Sequence, residues 1–121
     1  MSESIRSYRD LVAWQRAREL VRTTYQASGS FPQEERFGLA SQIRRAAISV
    51  MANIAEGYGR GTRQDYLRFL RMSRGSLFEV ESHALAAIDL GFMTEKAADG
   101  ILETVTDVGK PLSGLIRSLE E

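Results

Sequence analysis

The chain has 121 residues, 16 basic and 16 acidic side chains that balance to a formal net charge of zero, and no cysteine. This length predicts a single domain over residues 1–121, and the missing cysteine excludes disulfides and thiolate metal ligands. We expect a cytoplasmic protein, because the sequence has neither an apolar signal core nor the run of roughly 20 apolar residues that a membrane span needs.

The charges are unevenly distributed along the chain. Residues 36–74 contain eight arginines and two acids, a net of +6, whereas residues 75–121 contain three bases and nine acids, a net of −6. Arginine pairs with phosphate and carboxylate groups through two parallel hydrogen bonds. The basic segment therefore has two possible partners: an external polyanion, or the acidic C-terminal third within or between subunits.

The first half of the chain predicts two helices. Apolar residues at steps of three and four indicate a helix from about Arg9 to Ala27, preceded by a capping box of Ser7 and Asp10. A second helix is predicted from about Gln33 to Glu56, with Gly57 as a left-handed residue just after its end.

The second helix is apolar around most of its circumference. At about 100° per residue its apolar side chains occupy two adjacent arcs. One arc contains Leu39, Ile43, Ala46, Ala47, Val50 and Ile54, and the other contains Ala40, Ile48, Met51, Ala52 and Ala55. Such a helix is buried on more than one side. We therefore expect the second arc to pack against copies of the chain, with Ile48, Met51 and Ala55 as the candidate oligomer interface.

A polar stripe remains between these arcs. It consists of Gln42, Arg45, Ser49, Asn53 and Glu56. If the helix is buried, these groups need hydrogen-bond partners, because an unpaired buried polar group costs roughly 1–3 kcal/mol. The stripe is interpreted either as a structural network that ties this helix to its neighbours, or as a contact for a ligand or RNA.

The second half of the chain predicts two more helices. Thr62 and Asp65 form a capping box for a helix from about Arg63 to Leu90, in which Phe78 and Leu85 widen the buried side. Glycine at position 75 weakens this helix, and we expect a closely approaching neighbour to compensate. A fourth helix starts after Thr94. With short links and no strand-like alternation, the prediction is an all-α, antiparallel up-down-up-down four-helix bundle.

Candidate catalytic and metal-binding residues are few. His83 lies four residues after Glu79, and the sequence lacks the paired Glu-x-x-His motifs of metal-binding bundles. The glycines between Gly57 and Gly61 follow a helix and not a strand, which favours a helix–helix corner over a phosphate-binding loop. We predict no catalytic residue, metal or cofactor. An enzyme would be favoured by a deep pocket converging on Asn53 and Glu56.

Several segments of the chain resemble those of a known protein family. The matching positions are Leu11-x-x-Trp14, Phe31-Pro32-x-Glu34-Glu35, Leu39-x-x-Gln42-x-x-Arg45-Ala46, Ser49-x-x-x-Asn53-Ile54-Ala55-Glu56-Gly57, Arg60, and Gly75-Ser76-Leu77 with Glu79. They resemble the small four-helix-bundle proteins first noticed as reading frames within intervening sequences of bacterial 23S ribosomal RNA genes. The resemblance implies bundles that assemble as pentameric rings. A related branch is the accessory variability determinant of diversity-generating retroelements, which partners a reverse transcriptase and binds nucleic acid.

Two functions follow as hypotheses. The first is a non-catalytic homo-oligomeric ring that binds RNA or a nucleoprotein. Its candidate contacts are Arg44, Arg60, Arg63, Arg68 and Arg71, with Tyr58 and Tyr66 as nearby stacking surfaces. The alternative is a protein–protein interaction scaffold without nucleic-acid binding, in which these arginines pair with the acidic last helix or with a partner protein.

Overall fold

The computed structural model describes residues 4–121. Those residues form four α-helices and two short 3-10 helices, with no β-strand within 4–121. The α-helices are α1 (Val12–Ser28), α2 (Leu39–Tyr58), α3 (Arg63–Asp89) and α4 (Glu95–Glu120), and the 3-10 helices are Tyr8–Asp10 and Gln33–Glu35. The predicted all-α class and the number of helices are confirmed.

The helices form a bundle in which each packs against two others. Helix α1 packs against α2 and α4, α3 packs against the same two helices, and the α2–α3 contact is the most extensive. The α1/α2 pair therefore lies on the opposite side of the bundle from the α3/α4 pair. Fully buried side chains from all four helices fill the centre, including Leu20, Ile43, Ile54, Leu70, Leu77 and Ile101.

Helices α1 and α2 begin later than the sequence pattern predicts. The Ser7–Asp10 capping box is present, but it starts the short 3-10 helix, and extended backbone at Leu11 separates that turn from α1. Helix α2 begins at Leu39 instead of about Gln33, because Gly38 has a non-helical conformation. The Glu35 carboxylate accepts a 2.9 Å hydrogen bond from the Leu39 N–H, one of the free donors of the first turn.

The corner between α2 and α3 also differs from its prediction. Gly57 lies inside α2 and is buried, whereas Gly61 has the positive φ of +87°. A Cβ at Gly57 would lie 2.9 Å from the Cβ of Phe69, so a side chain would collide with α3. The Thr62 hydroxyl accepts a 3.2 Å hydrogen bond from the Asp65 N–H, as the predicted cap requires.

The outer apolar arc of α2 is partly covered by the chain itself. Ala40 is buried, Met51 and Ala55 are half-buried, and Ile48 is 38% exposed. The expectation of a close neighbour at Gly75 is wrong within the subunit, since a Cβ at that position would meet no atom of residues 4–121 within 4 Å. None of the helices within residues 4–121 has an apolar stretch sufficient to cross a membrane.

Candidate functional site

Part of the predicted polar stripe forms a junction between α2 and α3. Ser49 Oγ lies 2.9 Å from Ser76 Oγ across the two helices. Asn53 Nδ2 donates to both the backbone oxygen and the Oγ of Ser49, at 2.9 Å each. All three side chains are half-buried. Each of the three side chains makes a hydrogen bond within the chain, which supports the structural interpretation of this part of the stripe.

The remaining stripe residues point outward. Gln42, Arg45 and Glu56 are exposed, and Glu56 Oε1 lies 3.9 Å from Arg60 Nη1. A shallow groove of about 470 Å³ runs beside Gln42 and Arg45. Phe37, Gln42, Arg45, Ser49 and Glu79 are among its lining residues. Neither Asn53 nor Glu56 lines this groove, so the stripe does not converge on one pocket.

Two further contacts strengthen the α2–α3 junction, and the helical pattern of the sequence indicates neither of them. Ser73 is fully buried, and its hydroxyl donates a 2.7 Å hydrogen bond to the Val50 carbonyl. The rings of Tyr58 and Tyr66 meet edge to face at 6.1 Å. Ser73 occupies a core position in the helical repeat of α3, and a serine there is the signal that indicates a buried hydrogen bond.

Burial affects the chemistry of Tyr66. Desolvation raises the pKa of its phenol from 10.0 to about 12, and the nearby Tyr58 adds to this effect. Its hydroxyl oxygen is buried and has no hydrogen-bond partner among the protein atoms of residues 4–121. The neutral phenol is therefore the form that this position holds near neutral pH.

Two arginines of the predicted cluster lie around one aromatic ring. The guanidinium groups of Arg60 and Arg68 lie 5.1 Å and 4.5 Å from the centroid of Phe69. Arg68 also lies 3.6 Å from an Asp65 carboxylate oxygen. Each of these two arginines thus has an acidic side chain nearby, Arg60 through Glu56 and Arg68 through Asp65.

Two other arginines contact the end of α4. Arg71 Nη2 lies 2.7 Å from Glu120 Oε2, and Arg63 Nε donates a hydrogen bond to the backbone oxygen of Leu119. A cation at the last carbonyls of a helix is favourable, because those groups carry the negative end of the helix dipole. The basic segment therefore contacts the acidic C-terminal third within one subunit. This is the second of the two partners that the charge distribution allows, the first being an external polyanion.

Arg44 does not belong to this cluster. Its Nε donates a 2.8 Å hydrogen bond to Ser28 Oγ, and its guanidinium lies 4.8 Å from the ring centroid of Tyr25. Ser28 is the last residue of α1, so Arg44 is held at the α1–α2 contact. The remaining four candidates, Arg60, Arg63, Arg68 and Arg71, lie together near the α2–α3 corner and the end of α4.

His83 and Glu79 share one side of α3. His83 Nε2 lies 3.2 Å from Glu79 Oε2. Within the part of the chain that the structure describes, no group of three or more His, Asp or Glu side chains is placed to hold a metal ion.

Apolar side chains on α3 are more exposed than the helical pattern indicates. Phe78 and Leu85 are 58% and 48% exposed, although the sequence predicts that they widen the buried side of α3. They lie seven residues apart and therefore on one side of the helix. The helical period gives the direction of a side chain but not the depth to which a neighbouring helix covers it.

These features define a class of all-α four-helix bundles whose α2 and α3 are joined by polar and aromatic contacts. The profile of the family described as 23S rRNA-intervening sequence protein matches residues 9–114, and the chain belongs to this family.

A solved structure from Bacteroides thetaiotaomicron VPI-5482 is similar in fold. It is described as a protein with unknown function from the S23 ribosomal protein family. The two chains are 23% identical, the match covers 88% of this chain and 96% of that chain, and the TM-score is 0.78. This likeness supports the four-helix fold. No curated protein matches the chain.

Proposed function

We propose that the chain is a non-catalytic scaffold that assembles with copies of itself and presents protein-binding surfaces. The observation that carries this proposal is the exposure of large apolar side chains on two helices, Ile48 on α2 and Phe78 with Leu85 on α3. Phe78 lines a groove together with Leu77 and Val105, and exposed apolar surface of this kind is typical of interaction sites. The acidic partners and helix carbonyls near the arginine cluster favour a scaffold over a polyanion-binding protein.

The proposal includes an up-down-up-down helix order and a pentameric ring. Two contacts support the helix order: Arg44 near the start of α2 meets Ser28 at the end of α1, and Arg63 at the start of α3 meets Leu119 near the end of α4. The ring size rests on the family resemblance.

Sedimentation of charged variants tests self-association. We expect Ile48→Asp and Met51→Asp to lower the sedimentation coefficient relative to the unmodified chain, because a buried unpaired carboxylate disfavours an apolar interface. Met72→Asp is the matched control, since Met72 is exposed and lies in a groove with Gln64, Asp65 and Arg68 on another side of the bundle. Circular dichroism verifies that each variant is folded. A chain that sediments as a monomer, or variants that sediment unchanged, would overturn the proposal.

Binding of RNA or a nucleoprotein is the second candidate function. It is favoured by Arg60 and Arg68, whose guanidiniums flank Phe69 and remain about half exposed. Surface ion pairs of this kind contribute only about 0–1 kcal/mol, so a phosphate group can replace the acidic partner.

Filter binding to a structured RNA over a salt series separates the two functions. If RNA binds at this cluster, replacing Arg63, Arg68 and Arg71 by glutamine weakens binding and flattens its salt dependence. The double variant Asp65→Asn and Glu120→Gln should then strengthen binding, because it removes the carboxylates beside Arg68 and Arg71. Weak binding that neither variant changes would eliminate this cluster as an RNA site and leave the scaffold.

A further inference from the structure

The outer side of α1 and α2 combines arginines with an apolar floor, and we name it the α1/α2 face. A groove of about 470 Å³ runs along it, lined by Arg9, Trp14, Arg18, Val21, Arg22 and Met51. Ile48 lies three residues before Met51 and therefore on the same side of α2. The face thus contains a half-buried aromatic ring, aliphatic side chains and three guanidinium groups.

Most of the positive charge on this face has no acidic partner. Arg18 lies 5.7 Å from the ring centroid of Trp14, and of the three groove arginines Arg22 alone forms an ion pair within residues 4–121, at 3.3 Å from Glu19. Arg44 extends the basic surface along α2 while its guanidinium stacks on Tyr25. Arginine over an aromatic ring keeps its charge available to an incoming carboxylate.

The opposite side of the bundle, which we name the α3/α4 face, also combines a groove with exposed apolar side chains. It contains a groove of about 460 Å³ whose lining includes Phe78, Glu81, Val105 and Thr106, together with Lys110 and Arg117 at α4. Leu85 lies seven residues after Phe78 on the same side of α3. Phe78 and Leu85 are both exposed large apolar side chains of this face.

Exposed acidic side chains lie on the same sides of α3 and α4, and one of them, Glu81, lines the groove with Phe78. Asp99 and Glu95 lie seven and eleven residues before Thr106, and so on the same side of α4. Glu81, Glu95, Asp99 and Glu103 are exposed, and none of them has a basic partner within 4 Å in residues 4–121. This cluster is the negative counterpart of the arginines on the α1/α2 face.

The two halves of the neutral chain carry opposite net charges. Residues 4–58 contain eight arginines and five acids, a net of +3, and residues 63–121 contain seven bases and ten acids, a net of −3. Since α1/α2 and α3/α4 lie on opposite sides of the bundle, this is a polarity across the whole subunit.

We propose that the α1/α2 face of one copy binds the α3/α4 face of the next copy, so that unlike faces meet. The apolar residues of the two faces are buried together, while the acids of one copy approach the arginines of the other. Unlike faces on opposite sides of a subunit produce a ring when the rotation closes, and an open chain when it does not. A contact between two α1/α2 faces is disfavoured, because it would bring two sets of arginines together without the unpaired acids of the α3/α4 face. This inference rests on the proposed self-association and adds which surfaces meet.

Single-cysteine cross-linking tests the pairing directly, because the chain has no cysteine of its own. The test mixes Ile48→Cys chains with Leu85→Cys chains under mild oxidation. We expect a mixed disulfide dimer in several-fold excess over either self-linked dimer. The control mixes Ile48→Cys with Met72→Cys, in which Met72 has the same 48% exposure as Leu85 but lies outside both faces.

The outcomes separate this inference from the proposed function. An oligomer in which Ile48→Cys links mainly to itself, or in which the mixed yield equals that of the control, overturns the pairing of unlike faces while self-association stands. A chain that sediments as a monomer overturns both. If that monomer instead binds a polyanion, and Arg18→Glu abolishes the binding, the α1/α2 face belongs to a nucleic-acid partner. Loss of the mixed disulfide in Arg18→Glu chains that remain folded would support the electrostatic part of the inference.

Discussion

The hydroxyl of Ser73 donates a 2.7 Å hydrogen bond to the backbone carbonyl of Val50, within the buried contact between α3 and α2. Val50 and Ser73 are both fully buried. The bond therefore joins two helices at a point that water does not reach, where a polar group is most costly without a partner.

Removing this hydroxyl should destabilise the fold. Ser73→Ala is expected to lower the free energy of unfolding by about 1 kcal/mol, the usual net value of one intramolecular hydrogen bond. Urea denaturation followed by circular dichroism measures the change. Ser82→Ala is the control, because Ser82 is an exposed serine on the same helix, and its effect should stay within about 0.5 kcal/mol. Equal effects of the two variants would mean that the bond does not stabilise the native state.

A second prediction concerns the close approach at Gly57. Gly57→Ala places a Cβ 2.9 Å from the Cβ of Phe69 and 3.2 Å from the ring of Tyr66. Since α3 has to shift to admit this atom, the variant should lose roughly 1–3 kcal/mol of stability, the usual cost of overpacking. Thermal unfolding at matched pH measures the loss. A Gly57→Ala chain as stable as the parent would show that the corner tolerates the displacement.

The opposite result is expected at Gly75. This glycine lies in the middle of α3 and is exposed to solvent, and a Cβ there would meet no atom of residues 4–121 within 4 Å. Gly75→Ala should therefore raise the free energy of unfolding by about 1 kcal/mol, the difference in helix propensity between the two residues. The same thermal assay applies. Destabilisation would indicate that a neighbouring chain packs against Gly75 in the assembled protein.

Helix boundaries follow from the sequence where capping is local. The Thr62 and Thr94 hydroxyls accept hydrogen bonds from the Asp65 and Ala97 N–H groups, so α3 and α4 begin where a threonine cap predicts. The sequence predicts too early a start for α2, because Glu34 and Glu35 after Pro32 have the composition of a first helical turn. In the structure they form a separate 3-10 turn.

The candidate site could be predicted only in part. Ser49 and Asn53 lie four residues apart on one helix, and their shared polar side is evident from the helical period. The ion pair of Arg71 with Glu120 joins residues 49 positions apart, so it depends on the packing of α3 against α4. No local pattern contains that information, so the sequence alone allows two interpretations of the arginine cluster.

Alkaline pH should destabilise the fold through Tyr66. Its pKa is raised to about 12 in the folded chain, compared with the ordinary value of 10.0. The folded state therefore holds the proton more tightly, so the stabilising contribution is complete below pH 10 and is lost as the pH rises toward 12. Tyr66→Phe removes both this dependence and a buried hydroxyl without a protein partner in residues 4–121. We expect Tyr66→Phe to be at least as stable as the parent at pH 7 and distinctly more stable than the parent above pH 10.

Urea denaturation at pH 7, 9 and 11 measures both effects, with Tyr25→Phe as the control because Tyr25 is exposed. Parallel pH profiles for the parent and Tyr66→Phe would contradict the burial of this phenol.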